Sequence, residues 1–190
     1  LVRFLPRMKV IETGFKGLLE LEPKVFKDDR GYFYESYNKS LFKELGIEDE
    51  YVQDNQSLSQ KNVLRGLHFQ APPFAQGKLV RVINGSVLDI ALDIRIGSPT
   101  YGQFHSVLLS EENKKLFWIP AGFAHGFCTL EDNTIFAYKC TNVYNKESEG
   151  CVLWNDSDLK IDWNVSNPLV SEKDKEGTPW REFKSPFVYK

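Results

Sequence analysis

The chain has 190 residues, 42% hydrophobic and 14% aromatic, which is ample for a folded core and too apolar for a disordered segment. Its 24 basic and 26 acidic residues leave a formal charge of −2, so nothing favours nucleic acid or an anionic membrane as partner. No apolar run approaches the roughly 18 residues a membrane span requires, and the N-terminal stretch lacks the apolar core of a signal peptide.

The leading "LVRFLPR" precedes the only methionine, Met8. Residues 1–7 read as an appended remnant and residues 8–190 as one domain, since no repeat, low-complexity tract or Gly/Ser/Pro-rich linker divides the chain. Strand-like runs near 17–26, 31–37, 51–58, 63–70, 104–109, 115–119, 125–130, 134–144 and 150–154 alternate with turn signals and predict an all-β sandwich or barrel. "NKSLFKELG" (38–46) predicts a short helix capped by Asn38 or Ser40 and ended by Gly46. "SEKDKEG" (171–177) predicts another, with Ser171 and Asp174 spaced as a capping box, so Asp174 has a purely local explanation.

"KLVRVINGSVLDIALDIR" (78–95) reads as a hairpin turning at Asn84-Gly85. That register opposes Val82 to Val87 and Val80 to Asp89. One face then carries Lys78, Val80, Val82, Val87, Asp89 and Ala91. The other carries Leu79, Arg81, Ile83, Leu88, Ile90, Leu92 and Ile94, and is expected to pack on another sheet or subunit. Lys78 and Asp89 on one face fit either a polar cavity or a solvent-facing ion pair.

"RGLHFQ" (65–70) puts one of only three histidines, His68, in an apolar run, where it can be a metal ligand, a proton carrier or a satisfied core residue. Strict alternation sends Arg65 to the face opposite His68 unless a bulge at Gly66 reorients it. "IPAGFAHGF" (119–127) holds Pro120, Gly122 and His125 in the P-x-G-x-x-H spacing of the cupin barrel. Gln70 stands where metal-binding cupins carry a second histidine, and no glutamate follows closely downstream. A divalent ion wants about three protein ligands, so metal binding is disfavoured. Tyr138 lies on a strand expected to pair with 125–130 through "EDN", and alone it carries no functional signal. Cys128, Cys140 and Cys151 are odd in number without a CxxC, which reads as free thiols in a reducing cytoplasm.

Seven stretches, "DDRGYFYE" (28–35), "QDNQS" (53–57), "LRGLHFQ" (64–70), "QGKLVRVINGSVLDIALDIR" (76–95), "IPAGFAHGF" (119–127), "YKCTNVYN" (138–145) and "SEKD" (171–174), together resemble the dTDP-4-dehydrorhamnose 3,5-epimerase family, in family order over about residues 8–180. The resemblance implies a cupin-type jelly-roll barrel with a few short peripheral helices. It implies a cytoplasmic homodimer with exchanged N-terminal segments, no metal and no cofactor. The implied substrate is a dTDP-keto-deoxy-sugar epimerised at carbons 3 and 5. It implies His68 as base, Asp174 as the carboxylate that orients it, and Tyr138 as acid. Lys78 and His125 are implied near the keto oxygen and hydroxyls. Arg30, Glu35, Gln53, Asn55 and Arg65 are implied as substrate contacts, Tyr144 and Glu149 at the nucleotide end, with Phe26 a weaker stacking candidate. Phe69 stands where many members carry tyrosine, which leaves the preferred sugar more open. A single-carbon epimerase, a keto-isomerase, a non-catalytic nucleotide-sugar binder and a metal-dependent oxygenase are the alternatives.

Overall fold

A computed structural model describes residues 2–5 and 7–190 of the protein, so residues 1 and 6 of the leading segment lie outside it. The first half contributes β1 (Val2–Leu5), β2 (Met8–Glu12), β3 (Leu19–Pro23), β4 (Phe26–Asp28), β5 (Gly31–Phe33), α1 (Lys39–Glu44), β6 (Gln53–Ser59), β7 (Val63–Gln70), β8 (Lys78–Asn84) and β9 (Ser86–Asp93). The second contributes β10 (Arg95–Ile96), β11 (Phe104–Ser110), β12 (Leu116–Ile119), β13 (Phe123–Thr129), β14 (Thr134–Cys140), β15 (Glu149–Cys151), β16 (Leu169–Val170), α2 (Glu172–Lys175) and β17 (Phe187–Val188). The class is all-β, as expected.

Two sheets carry the architecture. One runs β1-β2-β3-β12-β8-β14-β6, the other β11-β9-β13-β7-β15 with β16 beside β7. Their inner faces share one core. Val80, Val82, Phe117 and Phe136 from the first sheet meet Val87, Ala91, Val107 and Phe127 from the second. The alternation of strand side chains decides which residues enter it.

Two expected pairings are overturned. β8 and β9 do not form a hairpin: β8 pairs with β12 and β14, while β9 pairs with β11 and β13. The chain crosses between sheets at Asn84-Gly85, and only Gly85 takes positive φ, at 79°. β14 likewise pairs with β6 and β8 rather than with β13. A sandwich lets consecutive strands find their hydrogen-bond partners in opposite sheets, which a short turn signal cannot reveal.

The face assignments survive, because period-two alternation does not depend on the partner. Leu88, Ile90, Leu92 and Ile94 do face away from the inner core. They are covered by the chain's own later segment, including Leu159 and Trp163, rather than by a sheet or subunit. Leu79 joins Phe42, Leu45 and Trp118 under α1.

Both helices form. Asn38 caps α1 by accepting from the Leu41 amide, and Gly46 follows at φ 83°. Ser171 caps α2 by accepting from the Asp174 amide. The capping box is half made: the Asp174 carboxylate turns instead to His68. The three cysteines are free thiols. Among the described residues no helix is long and apolar enough to cross a membrane.

Candidate active site

A cavity of about 300 Å³ opens between the two sheets, with Arg65, His68, Lys78, His125, Tyr138 and Asp174 in its lining. Arg65 and His68 share it because β7 is bulged. His125 faces His68 and Phe127 faces Arg65, so Gly66 and Leu67 stand against Gly126 alone. Gly66 sits at φ 139°, and the Cβ of any other residue there would lie 2.5 Å from Gly126 Cα. The bulge that alternation required at Gly66 is therefore present.

His68 Nε2 lies 2.5 Å from Asp174 Oδ1. The carboxyl is 3% exposed. Burial pulls its pKa up, but the His68 hydrogen bond and charge, with help from Ser171 and the Gly66 backbone, hold it below the usual carboxylate range. An ionised Asp174 accepts, so Nε2 carries the ring proton and Nδ1 is the basic atom.

Tyr138 comes from the opposite sheet. Burial raises its phenol pKa, partly offset by a hydrogen bond from Asn55, so the hydroxyl stays protonated at neutral pH. Asn55 faces Tyr138 across the β6–β14 ladder, and Gln53 bonds both Asn55 and the Tyr144 amide.

Lys78 is deeply enclosed, and burial lowers its pKa against the pull of Cys140, Asp89 and Glu149. Asp89 and Lys78 do share the inner face. The direct partner of Asp89, however, is His125, whose Nε2 lies 3.0 Å from both carboxylate oxygens. Burial pushes Asp89 up and His125 down, which favours the neutral form of each.

Tyr144 and Glu149 are not in the cavity lining but connect to it through Lys173: the Tyr144 hydroxyl donates to Glu149 at 2.9 Å, and Lys173 Nζ donates to the same Glu149 oxygen at 2.6 Å. These hydrogen bonds outweigh burial and keep the Glu149 pKa low. Lys173 and Phe127 also line the cavity. Sequence reading missed both, although Lys173 adjoins Asp174 in "SEKD" and Phe127 shares the alternation of His125.

Arg30 and Glu35 do not reach this cavity within the chain. Arg30 sits on the β4–β5 hairpin, which joins neither sheet, with its side chain 90% exposed and paired to Asp28. Glu35 pairs with Arg7 at 3.0 Å, and among the described residues its buried Oε1 finds no hydrogen-bond partner. Phe26 is half exposed. Phe69 lies outside the cavity, edge-on to Phe183 and Phe187 in the outer cluster, so the hydroxyl it lacks would not face a ligand. His105 contacts Glu20 at 2.9 Å, consistent with a structural place.

Among the described residues His68, Cys151 and Asp174 are the one group spaced to hold a metal, each offering one ligand atom. Burial pushes the Cys151 thiol up to about 12, so without a metal it stays protonated.

The arrangement can take a proton from one wall and return it from the other. Residues 12–182 match the dTDP-4-dehydrorhamnose 3,5-epimerase family. The chain is 54% identical over 171 residues to a dTDP-4-dehydrorhamnose 3,5-epimerase of Shigella flexneri, covering 90% of this chain and 94% of that one. Its structure superimposes with a TM-score of 0.92 on a dTDP-6-deoxy-D-glucose-3,5-epimerase of Legionella pneumophila solved in complex with dTDP-4-keto-L-rhamnose, at 48% identity, covering 96% of this chain and 99% of that one. It also superimposes, with a TM-score of 0.84 at 29% identity, on a 3'-monoepimerase of Streptomyces bikiniensis in complex with dTDP-quinovose, covering 88% and 86% of the two chains.

Proposed function

This chain belongs to the dTDP-4-dehydrorhamnose 3,5-epimerase family, and we propose that it epimerises carbons 3 and 5 of dTDP-4-keto-6-deoxyglucose to give dTDP-4-keto-L-rhamnose for dTDP-L-rhamnose biosynthesis. The observation that carries the reading is the placement of base and acid on opposite walls, His68 on β7 of one sheet and Tyr138 on β14 of the other.

Both reacting protons are α to the same carbonyl, so removal of either gives an enolate. His68 Nδ1 takes the proton while Asp174 holds the ring and stabilises the imidazolium. Lys78, to which no side-chain hydrogen bond is made among the described residues, faces the developing oxyanion and in its protonated form supplies fixed electrostatic stabilisation. Tyr138 returns a proton to the opposite face, inverting the centre. Arg65, with His125 and the Tyr144–Glu149 pair, binds and orients the sugar nucleotide, the guanidinium being suited to its diphosphate. The reaction is redox-neutral, and its steps need no metal or organic cofactor.

We place the working unit in residues 8–190, acting as a cytoplasmic homodimer. Arg30 and Glu35 then serve the partner's cavity through exchanged N-terminal segments. Their absence from the lining of their own cavity, and the buried Glu35 Oε1 that finds no hydrogen bond among the described residues, support this. Mixing Arg30→Ala with His68→Ala chains tests it: recovered activity requires a site built from two subunits.

The test of the reaction is proton NMR of the substrate in heavy water. Deuterium entering at carbons 3 and 5, abolished by His68→Ala, is expected. The likeness to a 3'-monoepimerase favours one alternative, single-carbon epimerisation, which exchange at one carbon would establish. Binding without exchange would leave a non-catalytic carrier.

A further inference from the structure

We propose that Cys151 turns the His68–Asp174 dyad into a binding site for Zn²⁺, and that occupancy of this site inhibits the protein. The imidazole, thiol and carboxyl ligand atoms all lie within 4.8 Å of one another. Ligands about 2.0–2.3 Å from a tetrahedral zinc stand about 3.4 Å apart, so movements of about an ångström complete the set.

Three separate backbone elements hold these groups. Cys151 lies directly opposite His68 in the β15–β7 ladder, which puts both side chains on one face. Asp174 is brought in by the Ser171-capped α2. Asp174 is buried, whereas His68 and Cys151 are partly exposed, so the set is anchored on one side and reachable on the other. Lys173, next to Asp174 in sequence, is engaged by Glu149.

A nitrogen, a sulfur and a carboxylate oxygen suit zinc and are poor company for magnesium or calcium. As the Zn–S bond forms, the thiol gives its proton to water. Asp174 exchanges its hydrogen bond with His68 for a bond to the metal. A water molecule completes the fourth position toward the cavity. Coordination through Nε2 moves the ring proton to Nδ1 and removes the lone pair that accepts the substrate proton. Coordination through Nδ1 occupies that lone pair directly. Either way the metal blocks the chemistry and takes no part in it.

This inference goes beyond the epimerase reading and is tested without substrate. Metal-free full-length protein is titrated with Co²⁺ and its near-ultraviolet spectrum recorded, and Zn²⁺ affinity is measured by chelator competition. A thiolate-to-cobalt charge-transfer band is expected. Cys151→Ser and Cys151→Ala should each lose it and weaken Zn²⁺ binding at least about tenfold. With substrate, Zn²⁺ should inhibit the wild type reversibly, and both variants should need at least about tenfold more of it. A spectrum without the band, or Zn²⁺ affinity unchanged in both variants, would overturn the proposal. So would a band that persists in the variants, because it would assign the metal to Cys128 or Cys140.

Discussion

Gly66 and Gly126 meet backbone to backbone across the β7–β13 ladder, so closely that a Cβ on Gly66 would lie 2.5 Å from Gly126 Cα and 3.1 Å from the His125 carbonyl oxygen. That contact is the centre of the bulge that turns Arg65 and His68 toward one cavity. Gly66→Ala adds a methyl group at φ 139° against backbone that cannot yield. Backbone strain and overpacking together are expected to cost about 2–5 kcal/mol, read as a fall in unfolding midpoint. Solvent exchange into the substrate should be lost with it.

Asp174→Asn separates the two roles of that residue. The α2 cap uses the backbone amide at 174, which the variant keeps. The orienting carboxylate is removed, so the exchange rate should fall by roughly 10²–10⁴. The pH dependence of stability should change as well. Asp174 is held below its unfolded value of about 3.9. Its contribution is therefore present above that pH and lost as pH falls through the lower folded value. Acid unfolding curves of the variant should be flatter than wild type below about pH 4.

Lys78→Met keeps the shape of the side chain and removes its charge. If Lys78 stabilises the oxyanion, turnover should fall by about 10²–10³. Among the described residues no ion pair or hydrogen bond holds its amine, and burial already works against the charge. The melting temperature should be no lower than wild type. Steady-state kinetics and thermal unfolding of one variant check both halves.

Phe69→Tyr should leave both the rate and the choice of sugar within about twofold, and stability within about 1 kcal/mol. The ring stands 5.5 Å from Phe183 and 6.2 Å from Phe187, away from the cavity. A change in the ratio of carbon-3 to carbon-5 exchange would contradict that placement.

What was legible in the sequence was local. Alternation in 78–94 sorted Val80, Val82, Val87 and Ala91 to the inner face correctly, because side chains alternate along a strand whatever its partner. The same stretch misled on pairing, since an Asn-Gly pair serves a crossing between sheets as well as a hairpin. Family motifs named His68, Asp174 and Tyr138, but no spacing rule could show that they meet.

Sequence alone determined the all-β class, most of the longer strands but not β1 or β2, the approximate ends of both helices and the residue types available for proton transfer, all of which depend on backbone periodicity or neighbours a few positions away. Only the tertiary structure decided that Asp174 reaches His68 across 106 positions, that Asp89 serves His125, and that Cys151 stands beside the dyad. Those relationships depend on which strand lies beside which, and pairing is settled by burial over the whole chain rather than by any local stretch.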